Sequence, residues 1–519
     1  MASSDILATL AATHPDKLAV VDDRPDGTLL GLGFDAFNRE VNRLAHALRE
    51  LDLGAGHKIV WCGQNSIGIV RVMHAARKIG ATAVPLNYRL TPEEAAFVID
   101  DCDALAVYVD AAFADLIAQV RPETPRLRNV LVFDGEGPGD AHLVESLMAV
   151  ASDAEPTPPE TDTPAATITY TSGTTGKPKG AVRSGLGDRT QVAKMMELIG
   201  YRPDDVYLTT GPLYHSGPGG FMMLSQFLGT TVVIQRRFDA EDWLRLVDRY
   251  GVTTSFCAPT PIRMVCQLPE EVKALYDRGS MKRLIANAAP WSYALKQSYL
   301  EDFPADSLWE VYGSTELGVN AILAPEDQLR KKGSCGRPAP TVEIKLFDEE
   351  GGEISRPHVP GELYVRSKTV FDTYYKAHDK YDADRRGEFH TVGDVAYFDE
   401  EGFFYICDRK KDMIISGGMN IYPAEIEAAL EQHPKIADVA VFGVPNEEWG
   451  EAVHATVVVS SGDSLDRDEV IAYARRHLAG YKIPRSVAFA DEIPRTGSGK
   501  ILKRVLREPF WRDHASRVL

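Results

Sequence analysis

Metal-site and redox patterns are missing from these 519 residues: there is no CxxC pair, no HExxH and no histidine cluster at ligand spacing. The six cysteines, at 62, 102, 257, 266, 335 and 407, are scattered. That excludes a zinc ribbon or a disulfide scaffold and reads as buried free thiols in a reducing cytoplasm, the expected location. No GxSxG occurs, which removes the serine-hydrolase elbow. No glycine stands four residues ahead of a Gly-Lys-Ser/Thr triplet, which removes the Walker loop. The first residues lack a basic start followed by an apolar run, so no secretory signal is expected. Positive charge is in deficit, with 57 Lys and Arg against 75 Asp and Glu and a net charge of −18. Such a surface repels DNA, RNA and anionic lipid, so no nucleic-acid partner is expected, and an anionic substrate must be held by local positive groups. The segment 206–235 has no charged side chain, but its five glycines, two prolines and one histidine make a poor lipid-facing helix. It reads as two buried strands with a Gly-rich loop and a short helix between them, so no integral membrane segment is expected. Peripheral membrane contact and homodimerisation are left open.

What is present alternates. Phe37, Val41, Leu44, Ala45, Leu48 and Leu51 recur at helical spacing before Gly54. KIVWC then reads as a strand, SIGIVRVMHAARKIG as a helix and ATAVPL as a strand. TPEEAAFVIDDC opens with a capping box: Thr91 as cap, Pro92 at the first helical position, Glu94 three after the cap. ALAVYVD and NVLVFD are further strands. This pattern predicts an α/β fold, a large N-terminal domain of helix-covered mixed and parallel sheets. A second organisation starts near Asp408. Helices at 423–432 and 466–478 and strands IADVAVFGV, HATVVVS and SVAFA predict a small α+β domain. The expected division is 1–410 and 411–519.

TYTSGTTGKPKG, 169–180, follows a buried strand and packs three glycines, five serine or threonine hydroxyls and two lysines together. Glycines let backbone amides converge on an anion, hydroxyls add donors and Lys179 adds a point charge. The composition suits phosphate oxygens. Four more stretches follow it in order: VYGSTE (311–316), TVGDVAYFDEEGFF (391–404), DRKKDMIISGG (408–418) and PRTGSGK (494–500).

Together the five resemble the adenylate-forming superfamily of acyl-CoA synthetases, peptide-synthetase adenylation domains and beetle luciferases, over nearly the whole chain. The resemblance implies that Thr171, Ser172, Gly173, Thr174, Thr175, Gly176 and Lys179 hold the phosphates of ATP. It implies Mg²⁺ on Glu316, a hard cation suited to one carboxylate and phosphate oxygens. Thr315 would contact phosphate, with Gly313 and Ser314 beside it; Tyr312 would pack on adenine, and Ala288, Ala289 and Pro290 would line its other side. Asp394 would accept from the ribose hydroxyls, with Arg409 nearby, and Lys500 would reach the α-phosphate and the attacking carboxylate. Lys411 matches a hinge about which the small C-terminal domain would be mobile, Gly417 and Gly418 a pantetheine tunnel for CoA, and His215 a gate between that tunnel and the ATP site. On the residues alone, Glu316 could instead open a helix, Asp394 sit in a turn and His215 belong to the core.

The implied reaction joins a carboxylic acid to CoA through an acyl-adenylate. No Asp or Glu occurs in 206–235 to pair with a substrate ammonium, which disfavours amino acids. The expected pocket stretches, around His215, Phe221, Trp291, Gly313 and Asn320, are small or apolar. A fatty, aryl or alicyclic acid is expected. A ligase that loads a carrier protein, or a nucleotide-binding scaffold without turnover, would share most of these motifs.

Overall fold

The computed structural model describes residues 5–159, 165–171, 178–185, 188–289, 291–410, 412–417, 419–446, 449–495 and 501–512. The first alternating elements build one eight-stranded sheet. Its parallel centre runs through Thr82–Leu86, Lys58–Cys62, Ala106–Asp110 and Asn129–Phe133. Ala166–Thr171 joins parallel to Thr82–Leu86, with Ala83 opposite Thr167. Lys179–Ser184 then returns antiparallel. The stretch 169–180 is therefore the end of a β-hairpin, not only a loop after a strand, and Thr171 and Lys179 form its closing pair.

The second sheet has nine strands, parallel from Leu18–Asp23 through Thr231–Ile234, Val206–Thr209, Thr254–Cys257 and Arg283–Ala286 to Leu308–Ser314. The uncharged segment is, as read, two buried strands with a helix between them, but Gly217, Gly219 and Gly220, expected in a loop, lie inside that helix, Ser216–Phe227. That helix and the helices Phe34–Glu50 and Ile67–Lys78 share one apolar core with both sheets. The predicted capping box is present: Thr91 Oγ1 accepts from the Glu94 amide and the Glu94 carboxylate accepts from the Thr91 amide. Such caps contribute about 1 kcal/mol. A third sheet, which includes Gly361–Arg366, Asp394–Phe398 and Phe404–Arg409, lies between these and the C-terminal part.

The fourth sheet comprises Ile414–Ser416, Met419–Ile421, Ile436–Asn446, Gly450–Val459 and Ser486–Phe489. It shares its own hydrophobic cluster with the helices Pro423–Leu430 and Arg467–His477. Asp408, at the end of the preceding strand, accepts from the Ala424 amide at 3.0 Å and so ties that strand to the first of these helices.

Glu431, just past that helix, has its carboxyl pushed up to about 7 by burial; Glu427 and Asp438 reinforce the shift, while Arg263 and Arg495 oppose it. Arg263 belongs to the helix Pro259–Cys266 of the nine-stranded part. The folded protein holds this proton more tightly than the unfolded chain. The stabilisation is full below about pH 4.5 and is lost as pH rises through about 7. Glu431→Gln is expected to melt above the parent at about pH 8, and the two melting temperatures to converge toward about pH 5. Thermal scans across that range check it; an offset constant with pH would contradict it.

Candidate active site

Glu316 sits where the two large sheets meet. It does not open a helix: it lies in the turn between Leu308–Ser314 and Gly318–Leu323. The turn demands glycine twice. A Cβ on Gly313 would lie 2.1 Å from the Gly318 carbonyl oxygen, and Gly318 has φ +73°. The Glu316 carboxylate faces the 169–180 hairpin, accepting from Thr171 Oγ1 at 2.9 Å and from the Tyr374 phenol at 3.2 Å on the same oxygen. Burial and this carboxylate raise the Tyr374 phenol far above its usual value, so it stays a donor. The Lys179 ammonium lies 5.9 Å from the Tyr374 ring centre. Burial and Lys380 lower its pKa, against Asp384 and Glu316. Ser172, Gly173, Thr174, Thr175 and Gly176 lie outside the described residues.

Thr315, next to Glu316, is held twice. Its hydroxyl pairs with that of Ser216 at 2.7 Å, and its carbonyl accepts from Arg183 at 2.8 Å. Arg183 also donates to the Thr369 carbonyl. Burial lowers the pKa of this guanidinium, with Asp372 and Glu316 opposing. Arg183, Ser216 and Tyr374 were not among the expected site residues.

On the other side of the turn, the Tyr312 phenol donates to Asp394 Oδ2 at 2.5 Å, and Arg409 Nε lies 3.4 Å from Asp394 Oδ1. Asp394 starts a strand rather than occupying a turn and pairs with Arg409 across the third sheet. Tyr312, Asp394 and Arg409 thus form one connected set. Ala288, with φ +74°, follows the strand Arg283–Ala286, and its amide donates to the Asn287 side chain. Asn287 in turn donates to the Val311 carbonyl at 2.5 Å, fixing this bend against the strand that carries Tyr312. Ala289 continues the bend, and Pro290 lies outside the described residues.

A cavity of about 660 Å³ opens between these groups, and His215, Phe221, Ala288, Gly313, Ser314 and Thr315 line it. His215 precedes the helix Ser216–Phe227, its ring 4.4 Å from that of Tyr214. Phe221 packs against Phe256 at 5.1 Å. Two residues expected in the pocket do not line it. Trp291 is buried against Tyr299 and Leu295 in the core on the other face of the nine-stranded sheet. Asn320 is fully buried in the strand Gly318–Leu323, and its side-chain amide has no hydrogen-bond partner among the described residues. Gly417, with φ +55°, lies away from the cavity, in the hairpin of the fourth sheet. A Cβ there would come within 2.5 Å of the Trp449 ring. Lys411, Gly418 and Lys500 lie outside the described residues. Arg495 and Ile501, which flank the segment containing Lys500, pair across an antiparallel bridge, and Arg495 lines the cavity.

The wall carries six arginines, Arg77, Arg89, Arg183, Arg236, Arg237 and Arg495, and among the described residues no aspartate or glutamate. Arg77, Arg236 and Arg495 are ion-paired with Asp5, with Asp110 and Asp134, and with Asp438, all outside the wall. In a chain of net charge −18, Arg89, Arg183 and Arg237, which form no ion pair among the described residues, are the local positive charge that an anionic ligand would meet. Among the described residues no helix is long and apolar enough to cross a membrane.

Comparison with known proteins agrees with this arrangement. The AMP-binding enzyme family model matches residues 7–375, and that of the AMP-binding enzyme C-terminal domain matches residues 425–500. A fatty acid–[acyl-carrier-protein] ligase of Streptomyces coeruleorubidus, ScoC, is 33% identical over 94% of this chain and 93% of its own length. A long-chain-fatty-acid–CoA ligase of Mycobacterium tuberculosis, FadD13, is 32% identical over 97% of this chain and 98% of its own. The crystal structure of ATP-bound MatB from Rhodopseudomonas palustris superposes with a TM-score of 0.86 at 27% identity, covering 98% of this chain and 99% of that one. The chain therefore belongs to the AMP-binding enzymes and is an adenylate-forming protein of the acyl-CoA synthetase type.

Proposed function

We propose that the chain activates an apolar carboxylic acid with ATP and transfers the acyl group to CoA. The observation that carries this is the position of Glu316: its carboxylate is fixed by Thr171 and Tyr374 against the 169–180 hairpin, and its neighbour Thr315 lines a largely apolar cavity. A carboxylate does not acylate a thiol at neutral pH, because its leaving group is too poor. In the first step a carboxylate oxygen of the acid attacks the α-phosphorus and the bond to pyrophosphate breaks. In the second a CoA thiolate attacks the acyl carbon and AMP leaves. Residues 1–410 would carry the nucleotide and acyl sites, and 411–519 would swing between the two steps.

Each group has a role that its surroundings permit. The hairpin loop and Lys179 would hold the phosphates, Tyr312 and Ala288 the adenine, and Asp394 with Arg409 the ribose. Glu316 offers hard carboxylate oxygen flanked by hydroxyls, a donor set that suits magnesium. Bound there, the ion would offset negative charge on the phosphates. The phenol of Tyr374 and the hydroxyl of Thr171 would keep the carboxylate turned toward the hairpin, and Arg183 would keep Thr315 beside it. The arginine-lined wall would favour both polyanions, ATP and CoA, and its apolar part the acid.

Screening acids for pyrophosphate release, with CoA present and absent, tests the proposal; no release with any acid would overturn it. Lys411→Pro is expected to spare ATP–pyrophosphate exchange and to slow thioester formation ~10-fold or more, because proline restricts the joint. Unchanged overall turnover would remove the hinge. A second reading, transfer to a carrier protein instead of CoA, is favoured by the Streptomyces relative named for that acceptor. Mass spectrometry of the thioester products separates the two.

A further inference from the structure

The helix Ser216–Phe227 contains three glycines, at 217, 219 and 220. Glycine inside a helix is destabilising relative to alanine, so each needs a reason. Two have one in the packing. A Cβ on Gly217 would lie 2.5 Å from Phe256 Cζ, and one on Gly219 would lie 2.5 Å from the Leu213 carbonyl oxygen. Gly220 has no such reason: a Cβ there would meet nothing within 4 Å. Its backbone does not require glycine either, since it is absent from the positive-φ residues.

Gly220 does line the cavity, and so do Ser216, Met223, Leu224 and Phe227. Residues 216–221 all border the cavity, and beyond them Met223, Leu224 and Phe227 continue the row of Ser216 and Gly220 at helical spacing, so the face that holds Gly220 walls the cavity to the far end of the helix. The helix is twelve residues long, about 17 Å at a rise of ~1.5 Å per residue, the span of roughly a dozen extended carbon–carbon bonds. Its beginning is next to Thr315, where Ser216 bonds that hydroxyl, and its far end is at Phe227, under the Arg77 guanidinium 5.1 Å from its ring centre. The depth of the cavity therefore runs away from the nucleotide side, and Gly220 stands one turn in from its start.

We propose that Gly220 sets the length of acid the cavity admits: the side chain missing there keeps a channel open, so that a straight apolar acyl chain passes Phe221 and reaches Leu224 and Phe227. This rests on the cavity being the acyl site. A larger residue at 220 projects into the space an acyl chain would fill without disturbing the packing behind the helix.

The test compares the parent with Gly220→Leu and Gly220→Ala. Pyrophosphate release is measured with straight-chain acids of about four to about sixteen carbons and with aryl acids of increasing size. The ratio of kcat/KM for the longest accepted acid to that for the shortest is expected to fall at least ~10-fold in Gly220→Leu and by less in Gly220→Ala. The melting temperature of Gly220→Ala is expected to equal or exceed the parent's, because alanine is the better helix former. An active parent whose ratio is unchanged in both variants overturns the assignment of Gly220. So does a parent that uses only compact aryl acids. A parent inactive with every acid overturns the acyl-ligase reading, and this inference with it.

Discussion

Lys500→Ala is expected to slow acid-dependent pyrophosphate release ~100-fold or more, the usual cost of removing one preorganised donor from developing charge. Thioester formation from supplied acyl-adenylate should be spared, because the proposed swing of 411–519 between the steps would carry Lys500 away from the α-phosphate before the thiolate attacks. The flanking geometry supports the first half of this. Arg495, which pairs with Ile501 across the bridge flanking Lys500, lines the cavity that opens on Thr315. The two half-reactions are assayed separately, one by ATP–pyrophosphate exchange and the other by CoA thioester yield from synthetic adenylate. Equal losses in both would refute the assignment.

Glu316→Gln is expected to cost a similar or larger factor, ~100- to ~1000-fold in pyrophosphate release. The substitution isolates charge from shape. A glutamine carbonyl can still accept from Thr171 and Tyr374, so the turn and both hydrogen bonds are retained. What is lost is the negative charge that would hold a hard divalent ion against the phosphates. The rate should accordingly respond to added magnesium at higher concentrations than in the parent. Titration of magnesium against rate in both proteins checks this; a loss below ~10-fold, or an unchanged magnesium requirement, would show that Glu316 serves only the fold.

The parts of the fold that depend on local pattern were legible. Lys58–Cys62, Ile67–Lys78, Thr82–Leu86 and the capped helix Pro92–Asp101 each carry their own period, and they pair as parallel-sheet elements must. The surroundings of Glu316 were not, because two signals conflict there. Ser314, Thr315 and Glu316 look like the opening of a helix, but Gly313 and Gly318 close a hairpin over them, and sheet pairing outweighs local propensity. Trp291 and Asn320 show a second limit. Both lie in stretches whose neighbours reach the cavity; pairing across the sheet fixes the face that Asn320 takes, and packing of the following helix Tyr293–Asp302 draws Trp291 into the core. Arg183 and Tyr374 show a third: the contacts that give them meaning span 132 and 58 residues of sequence. An arginine whose hydrogen bonds go to backbone carbonyls leaves no charge pattern to read.

The hairpin at 169–180 is a short-range element, closed by Thr171 and Lys179 within one stretch of chain. The acid that meets it is 145 residues further on. Loop-closure entropy makes the first contact quick to form and the second late, so an unfinished chain can possess the loop and still lack the site. ATP would then favour only molecules in which both large sheets have already come together, adding stability in proportion to the logarithm of its concentration. In a refolding experiment the nucleotide would serve as a late quality check on assembly: it would leave the earliest rates alone and raise the yield at the end.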